Sequence, residues 1–145
     1  MEDSHGEKDP EKWMEMFSEF APRTAMAHLD IRPTFLDDQT FIIESTIGDA
    51  HRQPFGLLHG GVNMLFAETV ASFHAAWLCD LKLAAPVGVD INGTHLSSAK
   101  EGELRITAKV LRRARAFVFH EVEIYHLDTD RILCSARVTN YLKPI

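Results

Sequence analysis

Cysteine is scarce in this chain, with Cys79 and Cys134 alone among 145 residues. They lie far apart and form no CxxC pair, which excludes a disulfide scaffold and a zinc ribbon and reads as a cytoplasmic protein. Positive charge is also in the minority: fifteen Lys and Arg stand against twenty-one Asp and Glu, a formal net charge of −6. A surface of that sign repels nucleic acid and anionic membrane unless its basic residues cluster. The opening residues, MEDSHGEKDPEK, are charged and lack the apolar stretch of a secretory signal. Neither a GxxxxGK[ST] phosphate loop nor a G-x-S-x-G nucleophile elbow occurs. One long apolar run, Phe55 to Cys79, has the length of a bilayer span. It carries Glu68 near its middle together with His59, Asn63 and His74, and an unpaired carboxylate at that depth is costly, so a membrane span is rejected.

What is present is chain enough for one domain with a real core, 46% of it apolar. Residues 1–8 are expected to form a mobile tail and 9–145 a single domain. Asp9-Pro10-Glu11 is a helix start: an N-cap acid, a proline at the first helical position and an acid in the first turn. Trp13, Phe17 and Phe20 follow at helical spacing, and Ala21-Pro22 ends the pattern. Segments 28–35 and 40–47 read as a hairpin joined by Leu36-Asp37-Asp38-Gln39, with Phe41, Ile43 and Ile47 on one side. A Gly- and Pro-containing loop over 48–58 leads into His59-Gly60-Gly61 and a helical pattern that runs to about Leu78. Beyond Pro86 the period becomes two, giving strands over 87–97, 103–113, 116–126 and 131–142. Strands grouped around one long apolar helix predict an α+β fold, an antiparallel sheet wrapped on that helix. A helix this apolar needs cover nearly all round, which self-association helps to supply.

Glu68 is the sharpest anomaly, the only carboxylate between Asp49 and Asp80. Burial of an ionised carboxylate costs several kcal/mol or raises its pKa, and a raised pKa suits a general base. The plainer alternatives are a carboxylate at an exposed gap in the helix or one held by a structural arginine. At the helix start, the N–H groups of Gly60 and Gly61 and the positive end of the helix dipole form a carbonyl or oxyanion site, unless the glycines serve only a tight turn. His59 can cap that turn, and the Gln53 amide can donate to a carbonyl or hold a water. Ser72 lies one turn beyond Glu68 on the same face, where it either orients the carboxylate or simply packs. His95 shares strand parity with Val87, Val89 and Ile91 if no bulge intervenes. Arg112, Arg113 and Arg115 form the one basic cluster, suited to phosphate counter-charge or merely solvated. His120 and His126, six residues apart on a strand, are about 20 Å apart and imply no metal site.

The run Arg52-Gln53-Pro54-Phe55-Gly56-Leu57-Leu58-His59-Gly60-Gly61, then Glu68 and Ser72, resembles the hot-dog-fold thioesterases of the phenylacetate-pathway and 1,4-dihydroxy-2-naphthoyl-CoA type. Gly88-Val89-Asp90-Ile91-Asn92-Gly93-Thr94-His95, followed by Ser98-Ala99-Lys100-Glu101-Gly102, is similar to the family's third strand and turn. The resemblance spans about residues 25–143. It implies a hot-dog fold in dimers or tetramers with sites at the subunit interface, and hydrolysis of an aromatic or medium-chain acyl-CoA without a separate cofactor. It further implies Glu68 as base or nucleophile, the Gly60 N–H on the thioester carbonyl, and Gln53 and His59 nearby. Glu68 would come from one subunit and the loop from another. Gly61, Ser72 and His95 would line the pocket and Arg112 and Arg113 would meet CoA phosphates, although the family usually has a glycine where Arg-Arg-Ala-Arg-Ala stands here. Two other functions stay open: a hot-dog module that binds acyl-CoA without turnover, and a hydratase or dehydratase.

Overall fold

The computed structural model describes residues 8–145. The mobile tail expected over 1–8 falls outside those residues but for Lys8. The first helix, α1 (Pro10–Phe20), starts where Asp9 caps it, its carboxylate accepting the Glu11 N–H at 3.0 Å. A single 3-10 turn, Ala21–Arg23, follows. Then come β1 (Ile31–Leu36), β2 (Thr40–Thr46), the long helix α2 (Gly60–Leu78), β3 (Ala84–His95), β4 (Glu103–Ala114), β5 (Phe117–His126) and β6 (Arg131–Pro144). The six strands make one antiparallel sheet in the order β1-β2-β4-β5-β6-β3, with α2 across its inner face. This is the α+β hot-dog architecture.

The period-two pattern becomes the wall of the core. Phe41, Ile43, Leu104, Ile106, Ala108, Val118, Val122 and Ile124 are all fully buried, and Arg105 and Lys109 between them face out, while His120 shares the inner face. From α2, Phe66, Ala67, Val70, Ala71, Ala75 and Leu78 meet that wall at helical spacing. The opposite side of α2 is less covered: Leu65, Thr69, Ser72, Phe73 and Ala76 are half-buried and Glu68 is exposed. The expected all-round cover is therefore incomplete within one chain.

Two sequence expectations shift at the N-terminal end. The first strand starts at Ile31, three residues later than expected, because turns over 24–29 close through Ala27 N–H to Thr24 O and Leu29 N–H to Met26 O. Of the stripe on α1, Phe17 is buried against Phe41 and Phe73, and Trp13 packs on Phe73 and Trp77. Phe20 does not join them and stays 55% exposed. Two cations close the other end of α2. Lys8 Nζ donates to the Cys79 carbonyl at 2.7 Å and also to that of Trp77, and Arg113 donates to the Leu78 carbonyl at 2.7 Å. These are the carbonyls that a helix end leaves without partners, and positive charge there complements the dipole.

Beneath α2 lies a buried imidazole pair. His74 Nε2 donates to the Asp37 carbonyl at 2.7 Å, so its Nδ1 is an acceptor, and His120 Nε2 donates to it at 2.8 Å. His120 Nδ1 has no partner among the described residues. Burial, and then the neighbouring His74, push the His120 pKa down to about 3.

Candidate active site

The loop that feeds α2 is held by a histidine. His51 is buried; its Nδ1 accepts the Gly48 N–H at 3.0 Å and its Nε2 faces Ser45 Oγ at 2.8 Å and the Leu29 carbonyl at 3.1 Å. The His51 carbonyl in turn accepts the His59 N–H at 2.8 Å, which fixes where the helix begins. Burial lowers the His51 pKa, keeping the ring neutral in this role. Between these anchors the chain turns at Gln53–Gly56, where Gly56 takes a φ of 85° that favours glycine. Gln53 Oε1 accepts the Phe55 N–H. A backbone N–H can face only the amide oxygen, so Nε2 is the atom left outward as a donor. Phe55, at the loop tip, is 88% exposed.

His59 is the N-cap of α2, its Nδ1 accepting the Gly61 N–H at 2.8 Å. This corrects the expectation that both glycine N–H groups are free: Gly61 is capped, and Gly60 alone presents an N–H with no partner among the described residues. A Cβ added at Gly60 would lie 2.8 Å from His95 Nε2, so the close approach of that imidazole requires glycine. Asn63, buried one turn into the helix, meets the other ring nitrogen of His95 at 3.3 Å. His95 shares the face of Ile91 as its parity predicts, and the bulge that this parity had to exclude sets both apart from Val87 and Val89. The pairing of β3 with β6 shifts between Gly88 and Asp90, so His95, Gly93, Ile91 and Gly88 share the inner face while Val89 leaves it.

Glu68 is exposed and not buried, which corrects the expectation drawn from its apolar neighbours. Its carboxylate leans over Gly88 of β3, where any Cβ would overlap it. Ser72 does not orient the carboxylate; its hydroxyl donates to Asn140 Oδ1 on β6 at 3.0 Å. Glu68 and Gly60 are far apart within one chain, since eight residues of helix span about 12 Å.

A family model described as the thioesterase superfamily matches residues 55–134, just over half of the chain. The chain belongs to the thioesterase superfamily. It is 36% identical over 111 residues to the 1,4-dihydroxy-2-naphthoyl-CoA hydrolase of Escherichia coli, covering 77% of this chain and 80% of that one. The solved structure of a mutant thioesterase from Pseudomonas aeruginosa shares its fold, with a TM-score of 0.87, 23% identity and coverage of 97% of this chain and 98% of that one. Two solved structures of a Staphylococcus aureus thioesterase, each 28% identical, have TM-scores of 0.81 and 0.79. They cover 84% and 82% of this chain and 100% and 98% of theirs, and carry a glutamate-to-alanine and a glutamine-to-alanine substitution. The thioesterase is thus a hydrolase of acyl-CoA thioesters.

Several polar groups of this thioesterase fall outside the residues singled out from sequence. Asn140 is fully buried beside Ser72, and its Nδ2 has no partner among the described residues. It sits in an alternating strand where only the pairing with Gly88 and Val118 brings it under α2. Of the two arginines expected at CoA phosphates, Arg113 is held on the end of α2, while Arg112 is exposed past a bulge in β4. The third, Arg115, occupies the β4–β5 turn with a φ of 47°. Among the described residues no helix is long and apolar enough to cross a membrane.

Proposed function

We propose that this thioesterase hydrolyses the CoA thioester of an aromatic or medium-chain acid at sites shared between two copies of the chain, with Glu68 as the catalytic carboxylate and Gly60 as the carbonyl-binding amide. The observation that carries this reading is the separation of the two groups. A thioester carbonyl needs the carboxylate at its carbon and the N–H at its oxygen, each within about 3 Å, and about 12 Å of helix lies between them in one chain. A second copy removes the gap. Strand β3 is a twelve-residue edge with Val87, Val89 and most of its length exposed, a row of open donors and acceptors that favours pairing. Gly88 lies at Glu68 and His95 at Gly60. Antiparallel pairing of two β3 strands about a twofold axis near Ile91 and Asn92 sets Gly88 opposite His95 of the partner subunit, and so brings Glu68 towards the partner's helix start.

The chemistry follows from those placements. Glu68 takes a proton from water, the hydroxide adds to the thioester carbon, and the Gly60 N–H holds the oxyanion at the positive end of α2. Collapse breaks the C–S bond, and the departing thiolate of CoA takes a proton. Direct attack by Glu68, with a mixed anhydride then cleaved by water, uses the same groups. Gln53 Nε2 is a donor for the carbonyl or the water, and His59 shapes the turn by its cap. The substituted glutamine and glutamate of the Staphylococcus aureus thioesterase lie fifteen positions apart, the separation of Gln53 and Glu68 here. Gly61, Ser72 and His95 complete the wall, and CoA needs no other cofactor. A homodimer, or a homotetramer of two such pairs, in the cytoplasm is the corresponding assembly.

The test is release of free thiol from a panel of aromatic and short-to-long aliphatic acyl-CoAs, with Glu68→Gln beside the wild type and light scattering for size. Loss of a general base lowers kcat by roughly 10²–10⁴. Near-normal turnover in a folded Glu68→Gln, or full activity in a stable monomer, overturns the shared-site reading. CoA binding without turnover of any thioester would leave a binding module.

A further inference from the structure

The turn that leads from β2 into the active-site loop has little packing of its own. Asp49 and Ala50 are exposed, and within residues 48–51 it is His51 that is buried, at 1% exposure. Its ring is held at both nitrogens and on one face. A backbone N–H can only donate, so the Gly48 contact at 3.0 Å makes Nδ1 an acceptor, and the proton of the neutral ring sits on Nε2, between Ser45 Oγ and the Leu29 carbonyl. Phe66 of α2 lies against the ring, with 5.9 Å between centroids. Past His51 the chain makes a small closed loop: Arg52 bridges to Leu58, the Gln53 N–H donates to the Leu57 carbonyl at 2.8 Å, and the His51 carbonyl accepts the His59 N–H at 2.8 Å. Gln53 lies two residues past His51 and Gly60 one past His59, so both groups stand on a base that the His51 ring ties to β2. The other ties of the loop, Leu58 N–H to the Ala99 carbonyl at 2.9 Å and Arg52 Nε to the Lys100 carbonyl at 2.8 Å, run to the β3–β4 connection.

We propose that His51 is a positioning residue for the hydrolysis: by accepting the Gly48 N–H at Nδ1 it closes the turn that aims its own carbonyl at the His59 N–H, and so sets the Gly60 N–H and the Gln53 amide against the thioester carbonyl. The proposal rests on the Gly60 reading given above. His51 is buried and acts through the backbone, so it is not a catalytic residue. Its two nitrogens do different things. Nε2 ties the ring to Leu29 and Ser45, segments that contribute no group to the reaction, and its loss falls on stability. Nδ1 shapes the turn, and its loss falls on rate. A displacement of about 1 Å in the groups that orient a reacting bond is enough to slow it by on the order of 10²-fold. Because those groups are needed most at the transition state, kcat and kcat/KM fall together while KM changes little.

The experiment removes one nitrogen at a time. In His51→Asn the side-chain oxygen takes the place of Nδ1 and nothing replaces Nε2; in His51→Gln the amide reaches the place of Nε2 and nothing replaces Nδ1. With the full-length protein, kcat and KM are measured by thiol release from the acyl-CoA that wild type hydrolyses fastest, stability by urea unfolding, and exchange of the His59 amide by NMR. Both variants should lose stability. His51→Gln should lower kcat at least tenfold with KM within about threefold, whereas His51→Asn should keep kcat within about threefold of wild type. The His59 amide should exchange at least tenfold faster in His51→Gln than in His51→Asn. Should either variant fail to fold, His51→Asp, which keeps an acceptor at the place of Nδ1, and His51→Met, which does not, repeat the contrast. Equal kcat in the two members of a pair, whether kept or lost, overturns the assignment, because a residue that only fills space does not distinguish its two nitrogens. A loss of kcat without the difference in exchange overturns the route through His59. Full activity in His51→Gln beside an inactive Glu68→Gln overturns this proposal alone; near-normal turnover in Glu68→Gln with the His51 contrast intact overturns the role of Glu68 alone; and no thiol release from any thioester by wild type overturns both.

Discussion

Acid should unlock this fold through His120. The pair is a one-way chain of hydrogen bonds, from His120 to His74 to the Asp37 carbonyl, and a second proton on His120 would go to its buried Nδ1, which has no partner among the described residues. In the unfolded chain His120 binds a proton with the ordinary histidine pKa of 6.5, whereas in the folded protein it does so only near 3. The unfolded state therefore takes up more protons between those values, and stability falls as pH falls through 6.5 towards 3. At pH 7 the stabilisation is nearly complete; at pH 5 the unfolded ring is almost fully charged and the folded one is not. The loss between those two pH values is about 2 kcal/mol, or close to 1 M in a urea midpoint at a typical slope. His51, also depressed by burial, adds to the wild-type slope in the same direction. His120→Gln isolates the pair, because the amide can still donate to His74 Nδ1 but does not titrate. Urea unfolding at pH 7 and pH 5, at one fixed protein concentration, should show a pH-dependent loss smaller in His120→Gln by about 2 kcal/mol. Equal losses in the two proteins would refute the reasoning.

Gly88→Ala should separate activity from stability. The new Cβ overlaps the Glu68 carboxylate, which is the exposed and movable end of its side chain, so thiol release should drop at least tenfold while the urea midpoint stays within the usual small range of surface changes. Matched activity would show that the carboxylate does not work from this position. Arg115→Gly relieves a left-handed φ of 47° at the β4–β5 turn and should raise stability by up to about 1 kcal/mol in thermal or urea unfolding. A decrease would mean that the arginine side chain contributes more than its backbone costs.

Elements were legible in the sequence wherever periodicity was sustained. The single apolar helix, the four strands after Pro86 and the Asp9 start of α1 all lie within a few residues of their expected bounds. Fold class followed from that order, since strands gathered around one helix admit few arrangements. What could not be read depended on contacts between distant segments. An apolar neighbourhood suggested a buried Glu68, but burial depends on which face of α2 the sheet covers, and Glu68 is on the other. The parity of His95 holds with Ile91 but not with Val87 and Val89, because the bulge that the parity argument had to exclude occurs beside Gly88. Among Met64, Phe66, Phe73 and Trp77 the helix pattern cannot divide core from cavity. In the fold, Phe66 and Trp77 are buried, Met64 touches Gly93 and Phe73 borders an apolar cavity between the N-terminal segment and α2. Asn140 and His51 gave no warning, because a buried polar residue is recognised by its partners.

The N-terminal segment has a consequence for how such a protein diversifies. Glu68 and the start of α2 lie within residues 55–134, the part that matches the superfamily, whereas one wall of the cavity comes from residues 17–26, outside it. The helix that carries Glu68 is thereby walled on one side by chain outside the superfamily match. Substitutions around Phe20, Ala25 and Met26 can change that wall while residues 55–134 stay as they are, so the helix and its surroundings are free to vary apart.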